Sequence, residues 1–394
     1  MKADKPKVHT IPISERVKRL SPSGIRKFFD LLASMDGIIS LGVGEPDYAT
    51  PWHIRESAIY SIEQGITMYT SNSGMPELRT QLSSYLNNSY KLDYDSENQL
   101  LITVGVSEAL DLAMRAVINP GDEVIMPDPH YVAYDACVLL SGGVPVFVPT
   151  DEDNGFEISA DDIEAKITDK TRAILLGYPA NPTGAVMPRE KLEGIAALAR
   201  KYNLLVISDE IYARLVYGSE NTCIASLPSM QENTILLGGF SKSYSMTGWR
   251  IGYTAASAEI IAAMTRIHQY TIMSAPTMGQ VAAIEALKAG DAGVLEMVED
   301  YNHRRLVMVN GLCEIGLSCF EPKGAFYAFP SIKSTGMTSE QFAEKLLVEE
   351  KVAVVPGNAF GRCGEGYIRC CYATSLQEIK EALERIRRFV NKHS

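Results

Sequence analysis

Three polar side chains that can act together on a carbonyl compound follow short apolar runs of this sequence. Asn181 follows RAILLGYPA, Asp209 follows LLVIS, and Lys242 follows TILLGGFS. A lysine amine forms an imine with an aldehyde, an acid keeps a pyridinium nitrogen protonated, and an amide hydrogen-bonds a ring oxygen. Arg250, eight residues after Lys242, adds a planar donor that can pair with a phosphate. Together these residue types predict a site for a Schiff-base cofactor.

Such residues can meet only if the strands that precede them end at one edge of a sheet. Between about residues 50 and 285, helical stretches alternate with apolar runs of strand length, at residues 123–127, 145–149, 172–178, 203–210 and 233–240. Runs that are apolar on both faces are typical of parallel strands covered by helices. Residues 107–119 and 188–203 have helical patterns, the second opened by Pro188. We therefore predict an α/β fold with a large doubly wound, mostly parallel sheet, and ligands at the carboxyl ends of its strands.

The pattern changes after about residue 285. A long amphipathic stretch, residues 295–316, is followed by a few short apolar segments and two further helical stretches. This order is typical of a smaller α+β unit. We predict a large cofactor-binding domain at residues 46–285 and a small domain formed by residues 1–45 together with 286–394.

Composition and motifs exclude several other classes of protein. The 394 residues carry 37 Lys and Arg against 48 Asp and Glu, a net charge of −11, which argues against a nucleic-acid partner. The seven cysteines show no C-x-x-C spacing, so we expect no metal and a reduced, cytoplasmic protein. No apolar run is long enough to cross a membrane, and the N-terminus lacks a signal-peptide core. The glycines form neither GxGxxG nor a P-loop motif.

One segment, GGFSKSYSMTGWRIG at residues 238–252, resembles the lysine signature of class I pyridoxal-phosphate aminotransferases over its full length. Seven other segments resemble that family in order and spacing, and the resemblance covers roughly residues 14–390. It is greatest for the prokaryotic branch that includes aspartate, aromatic and N-acetyl-diaminopimelate aminotransferases. The other segments are residues 39–51, 68–79, 180–184, 208–212, 322–330, 352–360 and 367–374.

The resemblance implies catalytic roles for three residues. Lys242 would bind the cofactor, pyridoxal 5'-phosphate, as a Schiff base and then move the proton between substrate Cα and cofactor. Asp209 would pair with the pyridinium nitrogen, which lets the ring accept the electrons left at Cα. Tyr212, together with Asn181, would hydrogen-bond the phenolic oxygen of the cofactor and lower the pKa of the imine.

The resemblance also implies how the rest of the cofactor is held. Tyr131 would stack on the pyridine ring where the family commonly has Trp. The phosphate would meet the backbone of Val106, Ser107 and Glu108 and the side chains of Ser107, Ser241 and Arg250. Many family members carry Ser three residues before the lysine, whereas this chain has Gly239. That departure removes one expected phosphate contact.

Further positions match the family's substrate and subunit contacts. Arg369 would clamp the substrate α-carboxylate with Gly44 and Asn181 beside it. Tyr69 matches a tyrosine that reaches the phosphate of the neighbouring subunit, so the resemblance implies a homodimer with shared active sites. The expected substrates are an amino acid and a 2-oxo acid, the latter most simply 2-oxoglutarate, in a ping-pong cycle.

Two other functions use the same fold. A carbon–sulfur β-lyase needs the same lysine, aspartate and arginine, and a non-catalytic regulator would need a DNA-binding domain before the fold. The donor amino acid also stays open between aspartate and aromatic types. The segment that resembles the family's mobile active-site edge offers Ser23 and the apolar Ile25, and an apolar edge favours aromatic or mixed donors. We assign no role to Cys370 and Cys371.

Overall fold

The computed structural model describes residues 13–20, 37–289 and 291–393. Ser23 and Ile25 lie outside the described residues. The described helices are α1 (Glu15–Lys18), α2 (Trp52–Glu63), α3 (Pro76–Tyr90), α4 (Gly105–Val117), α5 (Ala133–Leu140), α6 (Ala160–Glu164), α7 (Arg189–Tyr202), α8 (Ala258–Thr271), α9 (Thr277–Ala289), α10 (Asp291–Glu314), α11 (Ser339–Glu350) and α12 (Leu376–His393). The described strands are β1 (Ile39–Ser40), β2 (Leu100–Thr103), β3 (Glu123–Asp128), β4 (Val144–Pro149), β5 (Thr171–Leu176), β6 (Leu205–Asp209), β7 (Thr234–Gly239), β8 (Gly252–Ala255), β9 (Tyr327–Ala328), β10 (Val352–Ala353), β11 (Val355–Pro356) and β12 (Ile368–Cys371).

A seven-stranded sheet forms the centre of the molecule, with strand order β2-β8-β7-β6-β5-β3-β4. Strands β3 to β7, which cover the five apolar runs, are parallel, and β8 runs antiparallel to both β2 and β7. The predicted mostly parallel α/β sheet is therefore confirmed. The prediction did not include β2, although it reads Leu-Leu-Ile-Thr and is buried, nor β8, which reads Gly-Tyr-Thr-Ala and has no apolar run.

Both faces of the central strands of this sheet are buried, whereas the edge strand β4 is partly exposed. Ile125, Ile174 and Val206 point into a core shared with helix α7. Their chain neighbours Val124 and Ile207 point to the opposite face, into a core shared with helix α4. Because side chains alternate along a strand, a strand covered on both faces must be apolar at every position. Helix α7 starts one residue after Pro188, which occupies the N-cap.

The C-terminal part contains a second, smaller sheet. Strands β11, β12 and β9 form an antiparallel sheet in that order, and helices α10 to α12 flank it. Strand β1 pairs in parallel with β10, Ile39 opposite Val352, so residues 39–41 pack on the C-terminal core. One core cluster contains side chains of the C-terminal sheet and helices together with Tyr212 and Leu215, which follow β6. The predicted domain boundaries at residues 45 and 285 stay a prediction.

Among the described helices, none combines the length and the apolarity that a membrane span needs.

Candidate active site

A cavity of about 520 Å³ lies at the carboxyl ends of the parallel strands. Most of the residues predicted for the site line it. They are Gly44, Val106, Ser107, Tyr131, Asn181, Asp209, Tyr212, Ser241, Lys242, Arg250 and Arg369. Glu108 and Tyr69 do not line it. The sheet topology explains why Asn181, Asp209 and Lys242 meet, because parallel strands end at the same edge and the loops that follow them lie side by side, whereas Arg369 comes from the smaller sheet.

Lys242 projects into this cavity from the turn after β7. Its ammonium Nζ donates to the carbonyl oxygen of Gly44 at 2.6 Å. Burial, with help from the nearby cations Arg369 and Arg250, lowers the pKa of Lys242 from 10.5 to about 8. A lysine with this pKa keeps a useful neutral fraction near neutral pH, and only the neutral amine attacks a carbonyl.

Asp209, the last residue of β6, supplies a buried carboxylate held by two donors. The hydroxyl of Tyr134 donates to Oδ2 at 2.9 Å, and the backbone N–H of Ile211 donates to Oδ1 at 3.1 Å. Burial raises the pKa of Asp209 from 3.8 to about 6, against the lowering effect of these hydrogen bonds and of Lys242. A buried anion of this kind gains most from a cationic partner inside the cavity, such as a protonated ring nitrogen.

Tyr134 is a site residue that the sequence reasoning missed. A side chain at Gly177 would place its Cβ 2.0 Å from the Tyr134 hydroxyl, so glycine at that position makes room for the contact with Asp209. Tyr134 stands three residues after Tyr131, and the structure shows that the two rings meet edge to face at 5.6 Å, but no sequence signal marks its contact with Asp209. Tyr131 itself lines the cavity and is only partly buried.

The start of helix α4 and Arg250 form one cationic end of the cavity. Gly105, the first residue of α4, has φ +72°, and a Cβ there would lie 2.5 Å from Nη2 of Arg250. The Nη1 group of Arg250 donates to the carbonyl oxygen of Thr247 at 2.9 Å. Ser107 and Ser241 line the cavity as hydroxyl donors. Free backbone N–H groups, a guanidinium and hydroxyls are the donors that bind a phosphate.

Glu108 can take part only through its backbone. Its carboxylate accepts the N–H of Val104 at 2.5 Å and contacts Nδ1 of the buried His268 at 2.7 Å, outside the cavity lining. Gly239, the departure from the family pattern, also has a local reason. A Cβ at Gly239 would lie 2.9 Å from Cγ2 of Val106 and 3.2 Å from Cδ1 of Ile211, so a serine would crowd both side chains.

Arg369, on β12, faces the cavity from the smaller sheet and is 4% exposed. Nη1 donates to Oδ1 of Asn181 at 2.9 Å, and Nη2 donates to the carbonyl oxygen of Gly42 at 2.7 Å. The guanidinium carbon lies 4.4 Å from the ring centre of Tyr327 and 4.9 Å from that of Phe360. Among the described residues, the buried Nε has no hydrogen-bond partner. A fixed guanidinium with unused donor capacity fits a carboxylate.

Tyr212 and Tyr327 meet at the wall of the cavity, with their hydroxyl oxygens 2.7 Å apart. The sequence reasoning included Tyr212 but missed Tyr327, although Tyr327 belongs to the segment 322–330 that resembles the family. Burial raises the pKa of both phenols, so both keep their protons at neutral pH.

Tyr69 lies on the surface, away from the cavity lining. It is 82% exposed, and its neighbour Met68 is 78% exposed. The carbonyl oxygen of Met68 accepts the hydroxyl of Thr277 at 2.6 Å, which ties this loop to the start of α9. Tyr270, 88% exposed, projects from the end of the nearby helix α8.

The donor set fits pyridoxal phosphate. The cationic end at Arg250 and helix α4 suits the phosphate, Asp209 suits the ring nitrogen, and Lys242 suits the aldehyde. The glycines keep the phosphate end open, since a Cβ at Gly252 would fall 2.6 Å from the backbone nitrogen of Val106. The described residues hold no cluster of three or more His, Cys, Asp and Glu side chains placed for a metal ion.

Comparison with known proteins gives consistent matches over nearly the whole chain. The family model for aminotransferase class I and II matches residues 36–386. A Bacillus subtilis protein is 56% identical over 96% of this chain and 98% of its own length, and its name contains the word aminotransferase without a substrate. The aspartate aminotransferase of Pyrococcus abyssi is 43% identical over 95% of this chain and 97% of its own. The crystal structure of an aromatic aminotransferase from Pyrococcus horikoshii superposes with a TM-score of 0.88 at 41% identity, covering 93% of this chain and 99% of that one.

Proposed function

Because this chain belongs to the class I and II aminotransferases and is a pyridoxal-phosphate-dependent transaminase, we propose a specific reaction for it. The amino group moves from an L-amino acid of the aspartate or aromatic kind to 2-oxoglutarate in two half-reactions that share one site. The observation that carries this proposal is the meeting of Lys242, Asp209 and Arg369 in one cavity.

Each of these residues has a proposed task that follows from its environment. When bound, pyridoxal phosphate supplies an aldehyde for the amine and a ring that accepts the electron pair left at substrate Cα. Lys242, with its lowered pKa, accepts the Cα proton and returns it. Asp209, fixed by Tyr134, stabilises positive charge on the ring nitrogen, and Arg250 with the start of α4 binds the phosphate.

Arg369 orients the substrate, and Asn181 contacts both Arg369 and the cofactor. Because Oδ1 of Asn181 accepts from Arg369, its Nδ2 group remains a donor for the phenolic oxygen of the cofactor. Tyr212 supplies a second donor to that oxygen, and Tyr131 covers the ring face. The α-carboxylate binds between Arg369 and the segment at Gly44, which places Cα within reach of Lys242, whose Nζ already contacts Gly44.

We propose that the working form is a cytoplasmic homodimer. The loop with Met68 and Tyr69 and the end of α8 at Tyr270 expose large apolar side chains that a second subunit would cover. In that arrangement Tyr69 reaches the phosphate of the partner's site. The seven cysteines are all free, which suits a reducing compartment. We also propose that residues 46–285 form the large domain and that residues 1–45 and 286–394 form the small one.

The half-reaction without an acceptor tests the proposed function. The cofactor-loaded protein is mixed with one amino acid at a time, and the visible absorption of the cofactor is followed. Glutamate, and at least one of aspartate, phenylalanine and tyrosine, should bleach the band stoichiometrically and then stop, because the amino group has no acceptor. Adding 2-oxoglutarate should restore the band. Continuous release of pyruvate from a cysteine-like substrate, without bleaching by any amino acid, would support a β-lyase instead.

A further inference from the structure

The hydroxyl of Tyr327 lies where three parts of the site meet. Its oxygen is 2.7 Å from the hydroxyl oxygen of Tyr212, and a Cβ at Gly44 would lie 2.5 Å from it. The two tyrosines are 1% and 6% exposed, and their rings meet edge to face at 5.8 Å. Tyr327 comes from β9 of the small sheet, whereas Tyr212 follows β6 of the large one.

The two phenols share one hydrogen bond but carry two protons. Among the described residues, neither hydroxyl has another hydrogen-bond partner, so the proton that is not shared must point elsewhere. If Tyr212 donated to Tyr327, the remaining proton would lie on Tyr327, beside Arg369, which offers donors only. If Tyr327 donates, the remaining proton lies on Tyr212, the residue proposed to contact the ring oxygen of the cofactor. Both tyrosines line the cavity, so the lining alone does not choose between the two arrangements.

The guanidinium of Arg369 favours the second arrangement. It packs on the face of the Tyr327 ring, with its carbon 4.4 Å from the ring centre. A cation on the face of a phenol draws electron density from the ring and makes the hydroxyl a better donor. A hydroxyl that accepts one hydrogen bond becomes a better donor, and the hydrogen bond that it donates is strengthened by roughly 10 to 30%.

We propose that Tyr327 is a positioning residue whose hydroxyl donates to Tyr212, so that Tyr212 directs its own proton to the ring oxygen of the bound cofactor. This inference rests on the proposed function, because it assumes that cofactor in this cavity. Tyr327 would then connect the arginine proposed for the substrate carboxylate with the tyrosine that tunes the cofactor.

The test is a spectroscopic pH titration of the cofactor-loaded protein, which does not depend on turnover. The ring oxygen of the cofactor accepts a hydrogen bond from the protonated lysine–cofactor linkage, and a second donor to that oxygen weakens this bond. Losing the second donor therefore raises the pKa of the linkage. Tyr212→Phe should shift the titration upward by about 1 to 2 pH units. Tyr327→Phe should shift it upward by about 0.1 to 0.6 unit, the cooperative fraction of that effect. The double variant should titrate like Tyr212→Phe alone, because Tyr327 acts through Tyr212.

Controls separate this role from general packing. Tyr372→Phe removes a hydroxyl from the same buried core, bonded to the carbonyl oxygen of Ala325 at 3.3 Å and outside the cavity lining, and should leave the titration unchanged. Tyr327→Phe keeps the ring on Arg369, so the KM for the amino acid should stay within about twofold of wild type. A Tyr327→Phe titration equal to that of Tyr372→Phe, or shifts that add in the double variant, would overturn the inference.

A second variant reaches the same hydroxyl from the other side. Gly44→Ala places a methyl group against the Tyr327 oxygen, and the Gly44 carbonyl also accepts from Nζ of Lys242, so the variant should raise the titration midpoint more in wild type than in the Tyr327→Phe background. Gly248→Ala is the matched control, since a Cβ there meets nothing within 4 Å. An equal Gly44→Ala shift in both backgrounds would contradict the inference. If the wild type acquires no visible band with pyridoxal phosphate, the proposed function fails and this inference fails with it.

Discussion

Replacing Arg369 with lysine tests the proposed carboxylate clamp, and the structure gives the size of the expected effect. In the guanidinium of Arg369, Nη1 donates to Asn181 and Nη2 donates to Gly42, and among the described residues Nε has no partner and remains a further donor. A lysine has one nitrogen, so it cannot hold both protein oxygens and also bind a carboxylate in a fork. Losing one charged hydrogen bond costs about 1.5 to 3 kcal/mol, which corresponds to roughly 10- to 150-fold in binding.

The assay is the half-reaction rate as a function of amino-acid concentration, measured for Arg369→Lys and wild type. The KM should rise by that factor, and binding of the matching amine without a carboxylate should not change. Arg305→Lys is the matched control, because Arg305 lies outside the cavity lining but has an environment like that of Arg369. Arg305 is buried, donates to the carbonyl oxygen of Pro322 at 2.9 Å, and its guanidinium carbon lies 5.3 Å from the ring centre of Tyr217. If the amino acid and the amine weaken equally, or if Arg305→Lys has the same effect, Arg369 serves the structure and not the substrate.

Three further predictions concern the lysine, the aspartate and the subunit contact. Lys242→Ala should fold but lose the visible cofactor band and turnover, and retained turnover would refute its role. Asp209, whose pKa is raised from 3.8 to about 6, contributes stability below about pH 4 that is lost as the pH rises through 6. Urea unfolding of the cofactor-free protein should therefore depend less on pH over this window in Asp209→Asn, and an unchanged slope would contradict the raised pKa. Finally, Tyr69→Ala and Lys242→Ala subunits, each inactive alone, should regain partial activity in a hybrid dimer, whereas proven hybrids without activity would place Tyr69 outside the partner's site.

The sequence predicted the large sheet well because four of its five parallel strands, β3, β5, β6 and β7, are largely buried and read as continuous apolar runs, whereas the edge strand β4 is apolar but partly exposed. The same reasoning missed β8, whose Gly252 must lack a side chain so that the backbone of Val106 can approach. An apolar pattern cannot reveal a strand such as β8, in which a small residue is needed so that a neighbouring loop can pack close to the backbone.

The site residues divide in the same way. Lys242 and Asp209 follow apolar runs directly, so their convergence could be inferred from topology alone. Tyr134 and Tyr327 act through other side chains, and the sequence contains no spacing that relates position 134 to 209 or position 327 to 212. Such contacts between distant positions arise from packing and require coordinates.

The cavity is bounded by two separate sheets, and this arrangement has a consequence for stability. Lys242 and Asp209 follow strands of the seven-stranded sheet, whereas Arg369 belongs to the three-stranded one. A ligand that spans from the lysine to the arginine therefore acts as a removable cross-link between the two sheets. An unreactive carboxylate that binds at a hundred times its Kd would add about 2.7 kcal/mol to the free energy of unfolding. A bound carboxylate should in this way also slow the proteolysis that proceeds through the unfolded chain.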